Sequence, residues 1–256
     1  MGSCDGDLQK PCSRLGSNLL QILREEKDVS LSGGIYHELQ VRLTYHSSRI
    51  EGIMLSEEQT RMMFETQRVF CDGILVDDII ETANHFHAID YVIDHADEPL
   101  TEAVIKELHR ILKQGTKDAY RGWFAVGDYK KLPNAVGGRE TAKPREVPAR
   151  IKALLAWYER LHKGGAAVTV NDIIRFHYEF ECIHPFQDGN GRVGRLIALK
   201  ECLRFGIVPF IIEDAKKAFY YRGLSEWKRD KGYLTDTCLD GQDTFKRLMS
   251  LFDIKP

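Results

Sequence analysis

Apolar residues recur at helical spacing along most of this chain, and the pattern breaks in one region, between Gly122 and Pro148. Ser56-Glu57-Glu58-Gln59 reads as a capping box opening a helix towards Phe70. Asp77 precedes a stripe of Ile79, Ile80, Ala83, Phe86, Ile89, Val92 and Ile93. Pro99 and Thr101 start another helix, with Val104, Ile105, Leu108 and Leu112 on one face, and Pro148 opens a fourth that Gly164-Gly165 ends. Asn171 is expected to cap a fifth, through Ile173, Ile174, His177, Tyr178 and Glu181. A sixth begins near Gly189, a seventh spans about Asp214 to Trp227, and Thr244 to Phe252 reads as an amphipathic helix. From Gly122 to Pro148 the chain is rich in Gly, Pro and Lys. Short runs such as Phe124-Ala125-Val126 and Ala135-Val136, with turn signals at Pro133-Asn134 and Gly137-Gly138, point to a long loop holding a short β-hairpin. A connection of that length in a compact domain is often functional. The class expected is all-α, with a short β-hairpin.

At 256 residues the chain suits one large domain that buries its own core. The expected division is a loose N-terminus or tag over 1–17 and a single domain over 18–256, whose last part, about 228–256, is a helical extension. A net charge of -2 gives no overall basic field of the kind a general nucleic-acid binder shows. No stretch approaches the roughly 20 apolar residues that span a bilayer, and Met1 to Gln9 lacks an apolar signal core. The six cysteines form no CxxC pair, which suits reduced thiols and a cytoplasmic setting.

Chemistry is concentrated in the twelve residues from His184 to Arg195, HPFQDGNGRVGR, which join two predicted helices. Gly189-Asn190-Gly191 lets a ligand approach the main chain. The helix that follows presents free N–H groups and a positive dipole end, and so an anion site. Arg192 and Arg195, three apart, reach the same side of its first turn. Two guanidinium groups beside an N–H nest suit phosphates. Asp188 adds a hard oxygen of the kind magnesium takes alongside substrate phosphates, and His184 is a base near neutral pH. A His before Pro, a Gly-Asn-Gly turn and two arginines are each commonplace; together, in this order, they describe a site for attack on a nucleotide phosphate.

These residues resemble the motif of the Fic family, H-x-F-x-D/E-G-N-G-R-x-x-R, which His184, Phe186, Asp188, Gly189, Asn190, Gly191, Arg192 and Arg195 match without departure. The resemblance extends from about Tyr36 to about Trp227. It implies an all-α fold with a β-hairpin flap over the motif loop, and a transferase that moves AMP from ATP to a Ser, Thr or Tyr hydroxyl. On that resemblance, His184 takes the hydroxyl proton and Asp188 holds magnesium on the α- and β-phosphates. Gly189, Asn190 and Gly191 form the anion hole, Arg192 and Arg195 bind the outer phosphates, and Phe186 anchors the loop.

Ser47-Ser48-Arg49-Ile50-Glu51-Gly52, at the end of a predicted helix over about 38–52, looks like the family's inhibitory motif, S/T-x-x-x-E-G/N. Ser47 and Glu51, i and i+4, share a helix face. The resemblance implies that Glu51 pairs with Arg195, braced by Ser47, and takes the space the γ-phosphate needs. An exposed Glu near a helix end is the plain alternative. Lys131 to Gly138 is expected to form the flap, with Val136 and Gly137 beside the nucleotide and an extended target segment docked by strand addition. Tyr220 and Tyr221 fall where relatives carry a pair near the nucleotide, though aromatics on a helix are more often core. His85, His87 and His177 read as packing or surface residues, not metal ligands. The partners implied are ATP and a hydroxyl-bearing target protein, with self-modification and a homo-oligomer left open, and no nucleic acid or membrane. The competing readings are removal of AMP from a modified protein, a transferase using another donor, and an ATP-sensing interaction module. The intact His184 speaks against the last.

Overall fold

The computed structural model describes residues 18–255, apart from 71, 137–138 and 164–166. The expectations for 1–17, Gly137-Gly138 and Gly164-Gly165 therefore lie outside the described residues. Ten α-helices are present among the rest: α1 (Leu19–Asp28), α2 (Ile35–Glu51), α3 (Glu57–Thr66), α4 (Val76–Asp94), α5 (Glu102–Lys113), α6 (Val147–Lys163), α7 (Val170–Ile183), α8 (Asn190–Arg204), α9 (Lys217–Glu226) and α10 (Gly232–Leu251). A hairpin of two-residue strands, β1 (Ala135–Val136) and β2 (Arg139–Glu140), pairs Ala135 with Glu140 and Val136 with Arg139. The fold is all-α, as expected.

Local chemistry explains most boundaries. Ser56 accepts from the Gln59 N–H while the Gln59 side chain accepts from the Ser56 N–H, the capping box read in the sequence. The fifth predicted helix is capped by Thr169, not Asn171: the Thr169 side chain accepts from Asp172 N, and Asp172 Oδ2 answers the Thr169 N–H at 2.9 Å. Phe124-Ala125-Val126 forms no strand, because its backbone closes turns, Phe124 N bonding Arg121 O at 2.9 Å and Asp128 N bonding Ala125 O at 3.2 Å, while Phe124 packs into the core. The C-terminal helix starts twelve residues earlier than Thr244, at Gly232, where Gly232 N bonds Asp230 Oδ1. The sequence reading assigns no element to α1. That helix is fixed by partners far along the chain, Arg24 donating to Ile93 O and Asp94 O, and Glu26 accepting from Tyr36 N.

Helix α8 runs through the middle of the molecule. Every residue from Asn190 to Leu203 is buried, so it shows no polar face, and α1, α2, α4, α5 and α7 all pack against it. Its N-terminus meets the C-terminal end of α2, the inner face of α4 and the end of α5. That convergence builds the site.

Candidate active site

Helix α7 ends at His184, whose backbone is left-handed (φ 51°, ψ 63°) and whose N–H bonds Phe180 O at 2.9 Å. The chain then turns towards α8 through Gly189, left-handed in its turn at φ 79°, a conformation that glycine takes without the Cβ penalty. Between these two positions Phe186 is fully buried and stacks on His109, centroids 4.0 Å apart. The Asn190 side chain clamps the loop, accepting from Phe186 N at 2.8 Å and donating to Phe186 O at 2.9 Å. Its contribution to an anion hole is therefore a main-chain one. The flap is tied to the same loop at three points: Lys130 N to Pro185 O (2.9 Å), Asn134 Nδ2 to Phe186 O (3.0 Å) and Leu132 N to Gln187 Oε1 (3.3 Å). Lys130 Nζ braces the flap base through Asn134 Oδ1 and Thr141 Oγ1. Val136, on β1, is exposed.

The first two turns of α8 carry the arginines, each buried and each facing a different helix. Arg192 is paired to Glu81 of α4 and lies 3.4 Å from Asp188 Oδ2. Glu81 also binds Lys113 of α5, whose Nζ reaches Asp188 Oδ2 at 2.7 Å. Arg195 turns to α2: Nε donates to Ser47 Oγ at 2.9 Å, and Nη2 to Ser47 O at 3.0 Å and Glu51 Oε1 at 2.6 Å. Ser47, Glu51 and Arg195 thus meet at the start of α8. Arg192 Nε and Arg195 Nη1 are buried without a hydrogen-bond partner. The Glu51 carboxylate sits against Gly191, where any added Cβ would collide with it. An anion of this chain already lies over the start of α8.

Tyr220 is buried, its ring 5.8 Å from the Arg195 guanidinium and its hydroxyl 2.7 Å from His177 Nε2. Tyr221 is partly exposed and donates to Ile50 O at 3.2 Å, beside the last turn of α2. Gly52 (φ 100°) ends that turn with paired bonds, Gly52 N to Arg49 O and Ile53 N to Ser48 O, a Schellman motif.

Electrostatics divide the site. Burial first, then the nearby Lys130 ammonium, push His184 down to about 4, so its imidazole is neutral at physiological pH and can accept a proton. The Arg192 and Lys113 cations outweigh burial at Asp188 and hold its carboxyl well below the usual range. Glu181, one turn before His184, goes the other way: burial and the Glu51 charge raise it to about 8. Among the described residues no three His, Cys, Asp or Glu side chains converge as a metal cage. Asp188, ionised and with its side chain about half exposed (53%), fits the different case of a single hard oxygen ligand completed by a substrate's phosphates.

Sequence reasoning missed Glu81, Lys113, Lys130, Asn134 and Glu181. For Glu81 a signal was available: it falls on the buried face of the α4 stripe, and a charge there demands a partner. Lys113 reaches Glu81 and Asp188 only through tertiary packing, and Lys130 reaches Asn134 and Thr141 within its own irregular loop.

Residues 99–202 match the Fic/DOC family model. The protein adenylyltransferase Fic of Drosophila persimilis is 31% identical over 182 residues, 70% of this chain and 34% of that protein. Its namesake from Drosophila grimshawi is 30% identical over 226 residues, covering 81% and 45% of the two chains. This chain therefore spans under half the length of these curated relatives. Among solved structures, a Fic domain containing signaling protein from Bacteroides thetaiotaomicron superposes with a TM-score of 0.73 at 24% identity, over 91% of this chain and 94% of that one. Fic-1 from C. elegans superposes with a TM-score of 0.69 at 21% identity, over 91% and 72%. Both share the fold.

Proposed function

This chain belongs to the Fic/DOC family, and on that premise we propose that it transfers AMP from ATP to a Ser, Thr or Tyr hydroxyl of a protein, held in check by Glu51. The observation that carries the reading is the Glu51 carboxylate seated on Arg195 at the start of α8, with Arg195 Nη1 left unpaired. A carboxylate there stands in for phosphate oxygens, and its removal opens a buried guanidinium and the helix N–H groups to a nucleotide.

In the active arrangement the neutral His184 ring accepts the hydroxyl proton as the oxygen attacks the α-phosphate and pyrophosphate leaves, a role worth about 10²–10⁴-fold for a placed base. The N–H groups at Gly191 and Arg192 and the two guanidinium groups offset the charge that gathers on the phosphates. Magnesium, held by Asp188 and the phosphates, would supply further charge neutralisation. The flap, anchored on Pro185, Phe186 and Gln187, offers the target segment an edge beside His184.

The test uses α- and γ-labelled ATP with magnesium on wild type, Glu51→Gly and His184→Ala. Strong α-label transfer by Glu51→Gly, weak by wild type and none by His184→Ala supports the reading. Transfer of γ-label alone makes the protein a kinase. Release of AMP from a modified protein by wild type but not by Glu51→Gly reverses the direction of the reaction.

A further inference from the structure

The C-terminal end of α7 holds two buried polar atoms without partners, and they belong to neighbouring side chains. His184 Nδ1 makes no hydrogen bond, and neither does Glu181 Oε1. The other carboxyl oxygen of Glu181, Oε2, lies 3.9 Å from His184 Nδ1, and both side chains are largely buried. A buried polar group left unsatisfied keeps its full desolvation penalty, so a small rotation that joins them is favoured. The main chain of Glu181 also lies near the His184 ring, so the carboxyl and carbonyl of one residue both stand beside it.

We propose that Glu181 is the positioning residue of His184: its carboxyl accepts from Nδ1–H, which fixes the ring's rotation and tautomer and leaves Nε2 as the basic nitrogen. The inference rests on His184 being the base of the proposed transfer. It assigns a role to a residue outside the His184–Arg195 motif. A base must present its lone pair, and an imidazole free to exchange tautomers presents the wrong nitrogen part of the time. The Glu181 carboxyl, protonated below about 8, accepts through its carbonyl oxygen, and the imidazolium formed once the proton is taken keeps that acceptor.

The surroundings of Glu181 are specific. On α7 it faces His184 and His177, whose Nδ1 is likewise buried without a partner. From α8 it faces Arg195 and the bare Gly194, where a Cβ would lie 2.8 Å from Glu181 Oε1 and 2.9 Å from His177 Nδ1. From α2 it faces Glu51, and from α9 Tyr220. Glycine at 194 thus keeps open the space in which the carboxyl turns. Lys130, at the flap base, is the cation whose charge acts on His184, and Glu51 and Asp188 are the anions.

Two measurements test this. Ring-nitrogen NMR on the full chain at neutral pH should show His184 protonated at Nδ1 in wild type and in Glu181→Gln, whose amide oxygen still accepts. In Glu181→Leu the tautomers should mix. A wild-type ring protonated at Nε2, or a Glu181→Leu ring still locked as Nδ1–H by the main chain alone, overturns the assignment. In parallel, α-label transfer is measured in the Glu51→Gly background. Glu181→Leu should lower kcat about 10- to 100-fold, a part of what a placed base supplies, with the KM for ATP unchanged and Glu181→Gln retaining most of the rate. Equal kcat for Glu181→Leu and its parent overturns the assignment. If the Glu51→Gly parent transfers no label while the NMR result holds, the positioning stands and the transfer reading falls.

Discussion

The side of α8 that faces α4 and the side that faces α2 both offer a buried guanidinium to a glutamate, and the two pairs are built differently. Glu81 sits inside a nineteen-residue helix, nearly inaccessible, between two cations, Arg192 and Lys113, the second of which also holds Asp188. Glu51 is the last residue of its helix, its side chain is 27% exposed, and it holds one cation that two atoms of Ser47 also support. Removing Glu81 leaves Asp188, 2.7 Å from Lys113 and 3.4 Å from Arg192, to answer both buried cations. Removing Glu51 leaves Arg195 still bonded to Ser47. The glutamate joins two cations on one side of the helix and holds a single one on the other.

The sharpest way to break this contrast is at Glu81. Glu81→Leu is expected to destabilise the fold by about 3–5 kcal/mol, the usual cost of removing one partner of a buried ion pair, read as a lower denaturation midpoint. A loss near zero would make the two pairs equivalent. Next, Arg195→Ala in the Glu51→Gly background should cut α-label transfer on the order of 10²–10³-fold, the scale of losing one preorganised charge donor. A variant as fast as its parent would leave Arg195 with no work beyond holding Glu51. By contrast Glu51→Gln, which keeps the shape and removes the charge, should change stability by no more than about 1 kcal/mol. A larger loss would make Glu51 structural like Glu81.

One further effect is a titration. Glu181, raised to about 8, binds its proton more tightly folded than unfolded, so between the ordinary carboxyl range and about 8 the folded state holds the extra proton. Stability should therefore fall as pH rises through that window, and Glu181→Gln should flatten the slope. Because the Glu51 charge helps raise Glu181, Glu51→Gly should move the Glu181 midpoint down, followed by carboxyl-carbon NMR. An unmoved midpoint would separate the two acids.

The helices were legible because their signals are local: a Ser56 cap, a stripe on α4, the turn at Gly189. The approach of Ser47 and Glu51 to Arg195 was legible only through the family resemblance, since nothing in local spacing brings residue 51 to residue 195. Thr169 was missed as a cap because Asn171 competes for the role two residues on, and the choice lies in which side chain the Asp172 N–H meets. Helix α1 and the cation Lys113 were not legible, because Arg24 and Lys113 find partners tens of residues away that meet them only once the helices have packed, while Lys130 finds Asn134 and Thr141 within a loop of no regular period. Glu181 reads as one acid on an amphipathic helix until folding closes apolar groups and a second carboxylate around it.

The Schellman end of α2 has a mechanical consequence. Glu51 is followed at once by the left-handed Gly52, and then by Ile53 and Leu55, which belong with Met63 of α3 to a small apolar cluster separate from the main core. In a lever's terms, on the proposed reading, Glu51 is the latch, Gly52 the pivot, and α3 a handle with its own grip on the chain. A pull on α3 reaches Glu51 through the five residues 52–56, while Ser47 lies one turn further in.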